Sequence, residues 1–414
     1  MRNRKIMALA VAGALGAPVV AFAQSEIEIY GRLYPELTRM NSSGATDATA
    51  TVAGGELSNL SPQLTAGGGN LKSRYSVDAS NSRIGFRGKE DLGGGLKTVW
   101  QIEQKATIDT GASGALANRD SFVGLQGGGF GTIRLGNMTT VYKSNREPIR
   151  FFGIESGNFI SANGVISSTP WGNKNAFHVR QPNSIRYDSP VFGGVDIGVQ
   201  YAPDEIRLPS PGTATLNAYL VSFGVKYESG PLYLTLSHEI HNDFFGASGG
   251  GLNATVANSP LNGTNDLHSK DSATRAVAGY KVGPTRVAFS YSPIQYTESG
   301  TRAAGKFDSY KNKTWELVWE QTWFGPFKTE AFYATASAGT CTLTGGVSCS
   351  TSGLDGKMIA VGGEYALSKR TALFALYAKL INGASAAFDN TANVSKVDVG
   401  TDITNVAVGV KQDF

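Results

Sequence analysis

Three short motifs in the chain contain residue types that could catalyse a reaction or hold a ligand. Gly246–Gly250 matches the G-x-S-x-G pattern of a serine nucleophile, but it lies in a glycine-rich loop without the strand–turn–helix context that exposes such a serine. His238 and His241 lie at the end of a predicted strand, and no further metal ligand accompanies them. Gly127–Gly131 fits a tight turn better than a phosphate-binding loop. We therefore expect no enzyme, no metal site and no cofactor.

Charged side chains that alternate with apolar ones indicate a different kind of chemistry, the conduction of solutes through water. Between residues 27 and 34, Ile27 and Ile29 alternate with Glu28 and Arg32. Because side chains of a strand point to opposite faces in turn, the charged set shares one face. The same parity places further charges on that face, at Arg83, Arg87, Lys97, Glu103, Arg134 and Arg186. We expect the apolar face to contact hydrocarbon and the charged face to line a wet bore.

Period-2 alternation bounded by turn residues predicts a regular series of strands along the chain. An even number of strands is required if an antiparallel barrel closes with both termini on one side. Sixteen segments fit the pattern: 27–34, 83–90, 96–103, 121–126, 132–137, 184–188, 195–201, 219–228, 232–239, 275–282, 286–292, 315–323, 328–335, 358–366, 372–380 and 405–414.

The connections between these segments alternate between short and long. The long ones lie near residues 40–80, 105–118, 138–183, 202–217, 241–273, 293–312, 336–356 and 382–403. Short turns on one rim and long loops on the other are typical of an outer-membrane barrel, whereas a soluble sandwich or propeller does not need that alternation. The predicted fold is therefore all-β: a sixteen-stranded antiparallel transmembrane barrel with short periplasmic turns and long extracellular loops.

The amino terminus has the features of an export signal. Three cations in the first five residues precede the apolar stretch Ile6–Val20, and Ala21–Ala23 has the small-x-small sequence that signal peptidase accepts. A retained membrane helix is the alternative, but Gly13, Gly16 and Pro18 interrupt the stretch. We predict a signal peptide at residues 1–23 and one barrel domain at residues 24–414.

Composition agrees with an exported β protein. The chain has 37 Lys and Arg against 33 Asp and Glu, and removal of the three signal cations leaves 34 against 33, a net charge of +1. Such a balance argues against a nucleic-acid partner. The 52 glycines suit many turns, and the two cysteines, Cys341 and Cys349, predict a loop disulfide more readily than a zinc pair without further ligands.

Several segments also resemble the Gram-negative general porins of the β-proteobacterial type. The resemblance covers the whole mature chain in order, and the segments that carry it are 30–33, 82–97, 122–125, 131–136, 367–371 and the terminal Phe414. It implies a homotrimer in the outer membrane, surrounded by its lipid and lipopolysaccharide, and a third long loop folded into the bore as a constriction. Phe414 resembles the family's signal for the barrel-assembly machinery, although Gln412 and Asp413 stand where basic or aromatic residues are commoner.

The third long connection is the predicted constriction loop, because it is too long for a surface turn. Its charged residues include Arg146, Glu147, Arg150, Glu155 and Arg180. On the wall, we expect Arg32, Arg83 and Arg134 to form a basic ladder near mid-depth, with Arg186, Lys97 and Arg87 nearer the periplasmic mouth. If Glu147 and Glu155 face the ladder, a transverse field orients dipolar solutes.

The balance of these charges predicts a weak anion preference. The wall acids at mid-depth are Glu103 and Asp120, fewer than the arginines, and Arg83 is the strongest candidate for a functional charge. The alternative for each arginine is an internal salt bridge that contributes little field.

The sequence thus favours a channel for passive diffusion of small hydrophilic solutes and ions. The first alternative is a substrate-selective channel for an organic acid, a sugar or phosphate. The second alternative is an adhesin or structural barrel with a plugged lumen. An adhesin needs large ordered external domains, whereas the long loops here are modest in size and rich in Gly, Ser, Thr and Asn.

Overall fold

A computed structural model describes residues 26–53, 69–70, 73–79, 81–112, 114–153, 160–172, 176–203, 217–244, 268–300, 304–390 and 398–414. In these residues a single sheet closes on itself, and every strand pairing is antiparallel. The predicted signal peptide, residues 1–23, lies outside the described residues.

Twenty strand segments form the sheet of the described chain. They are β1 (Glu26–Leu33), β2 (Glu36–Ser43), β3 (Arg74–Asp78), β4 (Arg83–Gly93), β5 (Leu96–Lys105), β6 (Ser121–Gly127), β7 (Gly131–Thr139), β8 (Arg180–Asp188), β9 (Val195–Pro203), β10 (Tyr219–Ser229), β11 (Leu232–Asn242), β12 (His268–Val282), β13 (Thr285–Ser299), β14 (Phe307–Thr322), β15 (Phe327–Ala336), β16 (Thr340–Leu343), β17 (Val347–Cys349), β18 (Gly356–Ala366), β19 (Thr371–Asn382) and β20 (Asp402–Asp413).

These segments make sixteen wall strands in the described part of the chain, as predicted. β1 and β2 are two halves of one wall strand, interrupted at Tyr34 and Pro35, and β3 and β4 are two halves of the next. Pro35 interrupts the strand because it has no N–H for the ladder. Its carbonyl accepts from the Val410 N–H, and the Tyr34 N–H donates to the Ser82 hydroxyl at 2.8 Å. The two interruptions therefore lie side by side, and a hydroxyl of the second satisfies a backbone N–H of the first.

The sequence prediction underestimated the extracellular ends of the strands. β12, β13 and β14 extend several residues beyond the predicted segments, and β3 and the extracellular end of β2 were assigned to a loop. Above the membrane both faces of a strand contact water or loops, so the alternation of apolar and polar residues is lost. The long connection after β15 also contains the hairpin of β16 and β17, in which Cys341 and Cys349 pair across the strands and form a disulfide.

The outward face of the wall is apolar and exposed, as the parity of the strands predicts. Ile29 on β1, Leu135 on β7 and Val408 on β20 each expose more than half of their side-chain surface. A soluble protein would bury such a continuous belt, whereas a barrel presents it to lipid. Among the described residues no helix combines the length and apolar character that crossing a bilayer requires.

The connection between β7 and β8 folds into the barrel, also as predicted. It contains the short helices α1 (Val141–Ser144) and α2 (Asn163–Ile166) and a single 3₁₀ turn at Phe151–Gly153. We call its described residues, 140–153, 160–172 and 176–179, the constriction loop. The loop packs against the inward face of β9 to β20 and leaves most of the inward face of β4 to β8 open to the lumen, where Arg186 of β8 donates to the Ser144 hydroxyl of the loop at 3.2 Å.

The expectation of a wet lumen without a packed core was correct for one side of the barrel and wrong for the other. Phe151, Phe152 and Ile166 of the constriction loop lie in a buried apolar cluster with wall residues such as Phe332 and Phe374. A second cluster joins loop residues to wall aromatics, namely Tyr142, Trp171, Phe177, Tyr296 and Tyr310. The apolar contacts hold the loop to one wall, so solutes pass along the opposite one.

Candidate functional site

The arginines predicted for the wall point into the lumen and lie in two adjacent pairs. Arg32 on β1 is the direct cross-strand partner of Arg83 on β4. Arg134 on β7 is the partner of Arg186 on β8. Each of the four side chains remains partly accessible, at 11–26% of its full surface. The period of the strands therefore brings these four cations to the wall that the constriction loop leaves open.

Two carboxylates on this wall are each shared by two arginines. Glu103 on β5 contacts Arg83, at 3.7 Å, and also Arg119. Asp188 on β8 contacts Arg134 and lies 2.8 Å from Nη2 of Arg186. Two carboxylates thus serve four guanidinium groups.

The other two arginines of this wall each have a carboxylate of their own. Arg180 donates from Nε to Asp120 at 2.5 Å. Burial raises the pKa of Asp120, but Arg180 and the hydroxyl and N–H of Thr139 outweigh it, so this pKa lies below its usual value. Arg32 donates to Asp413 at 2.6 Å. The ion pairs named here, all within the described residues, therefore join six arginines to four carboxylates, an excess of two positive charges.

Arg32 has a structural task besides its charge. Its Nη1 donates to the Gly153 carbonyl of the constriction loop at 2.7 Å, while its Nε holds Asp413 at the end of the last strand. Gly153 has φ of +77°, and a Cβ on it would lie 2.8 Å from the guanidinium. Arg32 therefore joins the first strand, the last strand and the constriction loop. Its ion pair with Asp413 also explains why an acidic residue precedes the terminal Phe414.

The tip of the constriction loop is held on the far wall by Phe152. Its ring fills the space above Gly362 of β18, where a Cβ would lie 2.7 Å from the ring, and it packs 6.0 Å from the ring of Phe374. The Phe152 N–H donates to the carboxylate of Glu330 on β15. The neighbouring Phe151 packs edge-to-face on Phe332 at 5.4 Å. Backbone and side chain thus fix the tip at one position.

The loop carboxylate Glu147 does not face the arginines of the open wall. It is buried at 2% exposure, forms an ion pair with Arg146, and lies beside Glu316 of β14. Arg150 is exposed and lines a cavity of about 440 Å³ on the periplasmic side of the loop, together with Arg186. Glu155 lies outside the described residues.

The far wall carries acidic residues that the sequence reasoning missed. Inward-facing carboxylates on β14, β15 and β18 are Glu316, Glu320, Glu330 and Glu364. Together with Glu147 they lie close to five cations, Arg146, Arg275, Arg286, Lys328 and Lys411, while Glu239, Asp271 and Glu298 are further buried carboxylates of β11, β12 and β13. The sequence could have predicted their inward direction, because Glu316 and Glu320 have the parity opposite to the outward-facing Trp315 and Trp319.

Near the base of the constriction loop, His178 is buried and neutral. Burial lowers its pKa well below the usual value, and the positive charges of Lys143, Arg146 and Arg275 lower it further. It therefore adds no positive charge to the passage at neutral pH.

The remaining predicted charges lie at the periplasmic mouth. Arg87 forms an exposed ion pair with Glu28 at 2.7 Å, and Lys97 is exposed beside the turn that joins β4 to β5. Exposed pairs of this kind are strongly screened by salt. These charges therefore affect the electrostatic potential at the periplasmic mouth more than the potential in the narrow passage.

Comparison with known proteins agrees with this geometry. The major outer membrane protein P.IB of Neisseria lactamica is 29% identical over 303 residues, which are 73% of this chain and 77% of that protein. The P.IB protein of Neisseria meningitidis serogroup B is 30% identical over 240 residues, 51% of this chain and 64% of its own. The solved anion-selective porin from Comamonas acidovorans has the same fold, with a TM-score of 0.66 and 22% identity over 94% of this chain and all of that one.

A sequence model of one family spans most of the chain. The family is described as Gram-negative porin, and its model matches residues 8–385. The match includes the strands that carry the arginines, the constriction loop and the far wall. The chain therefore belongs to the Gram-negative porin family, whose members are non-enzymatic channels of the outer membrane.

Proposed function

We propose that this porin passes small hydrophilic solutes and ions by diffusion, with a weak preference for anions. The observation that carries the proposal is the charge balance of the open wall, where the ion pairs of the described residues join six arginines to four carboxylates. A surplus of positive charge beside a narrow passage raises the local concentration of anions. The description of the Comamonas protein as anion-selective supports this direction.

The preference is weak because most of the charge is compensated locally. Ion pairs in a wet lumen retain only part of their field. In a planar bilayer with about 0.1 M KCl against about 1 M KCl, we expect a reversal potential of the anion-selective sign and a permeability ratio of roughly 2 to 5. A potential of the opposite sign would contradict the proposal. Blockade by one organic acid, sugar or phosphate at low concentration would instead favour the substrate-selective alternative.

We further infer that the mature chain begins after Ala23 and assembles as a homotrimer. The outward face of β1 to β8 supports subunit contact, because aliphatic residues such as Ile27, Val123 and Leu135 dominate it. The outward face of β13 to β15 instead carries an aromatic cluster that includes Trp315 and Tyr333, which is typical of a lipid interface.

We propose that Phe414 serves assembly by closing the seam of the barrel as well as by acting as a recognition signal. Its N–H and C=O pair with the C=O and N–H of Gly31 at 3.1 Å each, and its ring covers Gly31, where a Cβ would lie 2.5 Å from the ring. The contact joins the first strand to the last.

Replacing Phe414 with Ala is expected to reduce the yield of folded, heat-modifiable oligomer several-fold, because both the seam contact and the terminal aromatic are lost. Semi-denaturing electrophoresis of outer membranes measures the yield. Phe324→Ala is the matched control, since Phe324 is 75% exposed in a periplasmic turn and closes no seam. Equal yields from the two variants would contradict this role.

A further inference from the structure

The outer surface of the barrel has a basic notch on its extracellular half. Lys311 and Lys313 of β14 point outward and are exposed, two residues apart on the same face. They line a cavity of about 750 Å³ together with Gln295, Ser337 and Thr340. We call this feature the lysine notch. It belongs to neither the lumen nor the constriction.

The notch exists because the wall is irregular on both sides of Lys313. On one side Pro293 stands opposite Lys313, and the pairing of β12 with β13 is interrupted there, between Ala273–Ile294 and Ala276–Tyr291, without a change of register. On the other side β14 changes partner, from Ala336 of β15 to Thr340 of β16, and Gly339 turns the chain with φ of +75°. A regular wall would leave no such recess.

The two lysines have no carboxylate partner among the described residues. The same holds for Lys270 and Lys357, which are exposed on the outward face of β12 and β18 at nearby levels. Of the neighbouring carboxylates, Asp271 and Glu298 are buried on the inward side of the wall, and Asp308, three residues before Lys311 on β14, accepts from the Thr342 hydroxyl at 3.3 Å. The outward surface here is therefore a local concentration of uncompensated positive charge.

The depth of the notch indicates what it meets. Lys313 lies two residues outside Trp315, which packs on Tyr333 at 5.1 Å and on Phe289 at 6.1 Å. Trp323, just beyond the other end of β14, lies about 19 Å below Trp315 if a tilted strand climbs about 2.4 Å per residue, so an apolar band of about 25 Å that begins at Trp323 ends near Lys313. The lysine notch therefore lies at the level of the outer-leaflet head groups.

We propose that the lysine notch binds a phosphate group of a phosphorylated glycolipid in the outer leaflet. Two ammonium groups separated by about 7 Å can hold one phosphate between them, and the hydroxyls of Ser337 and Thr340 supply further donors. The apolar belt directly below, which begins with the aromatic cluster, contacts the acyl chains of the same lipid. An acidic soluble partner would lack those acyl contacts, so the depth favours a lipid.

Binding of bisphosphorylated lipid A to the purified oligomer, measured by native mass spectrometry in detergent, tests the proposal. Lys311→Gln with Lys313→Gln is expected to weaken binding about thirtyfold, since each lysine near an anionic lipid contributes about a factor of five. Lys311→Arg with Lys313→Arg should retain binding. Lys369→Gln with Arg370→Gln removes two cations from the periplasmic rim and should leave binding unchanged.

Three results would overturn the proposal: equal binding by the Lys311→Gln/Lys313→Gln variant, equal binding of dephosphorylated lipid A, or displacement of the lipid by millimolar inorganic phosphate alone. The last would identify a site for a soluble anion. Conductance in planar bilayers should be the same in all these variants, because the notch lies outside the lumen. The test of the lipid site is therefore separate from the test of the channel.

Discussion

Asp188→Asn is expected to raise the anion-to-cation permeability ratio roughly threefold, because one uncompensated charge about 6 Å from the ion path, screened by about 0.1 M salt, raises the local concentration of anions and lowers that of cations by nearly twofold each. Asp188 is the only carboxylate that the structure pairs with both Arg134 and Arg186 in the described residues. The amide keeps the shape of the side chain and removes its charge, so both guanidinium groups face the lumen uncompensated. Arg134→Gln should move the ratio in the opposite direction by a similar factor.

The control for this substitution makes the same chemical change elsewhere. Asp402 pairs with Lys379 at 3.5 Å near the extracellular end of the last two strands, and neither residue is on the inward face. Asp402→Asn should therefore leave the reversal potential unchanged. The shift caused by Asp188→Asn should also shrink between about 0.1 M and 1 M salt, as the screening length falls from about 10 Å to about 3 Å. A shift toward cations would refute the assignment of the surplus charge.

The sequence could predict which side chains face the lumen, because strand period alone decides it. The inward direction of Arg32, Arg83 and Arg134 follows from their parity relative to apolar neighbours on the same strand. Their partners depend on the register between strands and on residues distant in sequence. Asp413 is separated from Arg32 by 381 residues, and no local pattern connects them.

The position of the constriction loop could not be predicted in the same way. The sequence analysis considered a field that would arise if Glu147 faced the arginines. The loop has no strand period that would fix the direction of its side chains, and packing of Phe151 and Phe152 decides that direction. One feature of the sequence did indicate which wall the loop covers. β19 is apolar at both parities, with Leu373 outside and Phe374 and Leu376 inside, which indicates protein on its inner face.

Phe152→Ala is expected to release the tip of the constriction loop and to raise the single-channel conductance roughly twofold, with larger current fluctuations. Truncation of a buried phenylalanine costs about 3–5 kcal/mol, comparable to what holds a short irregular segment in place. The ring is fully buried, and its contacts with Phe151, Phe374 and Gly362 would all be lost. The barrel wall itself keeps its hydrogen bonds, so folding should survive.

Phe289→Ala provides the matched control, because Phe289 is 44% exposed on the outward face of β13 and contacts no part of the loop. Both variants should migrate as heat-modifiable barrels. Only Phe152→Ala should widen the passage, and it should also lower the anion preference, because ions in a wider bore pass more than a screening length from Arg83 and Arg134. Higher conductance with unchanged selectivity would show that the charge excess of the open wall does not set the preference. Unchanged conductance would show that the loop is held by the remaining contacts without Phe152.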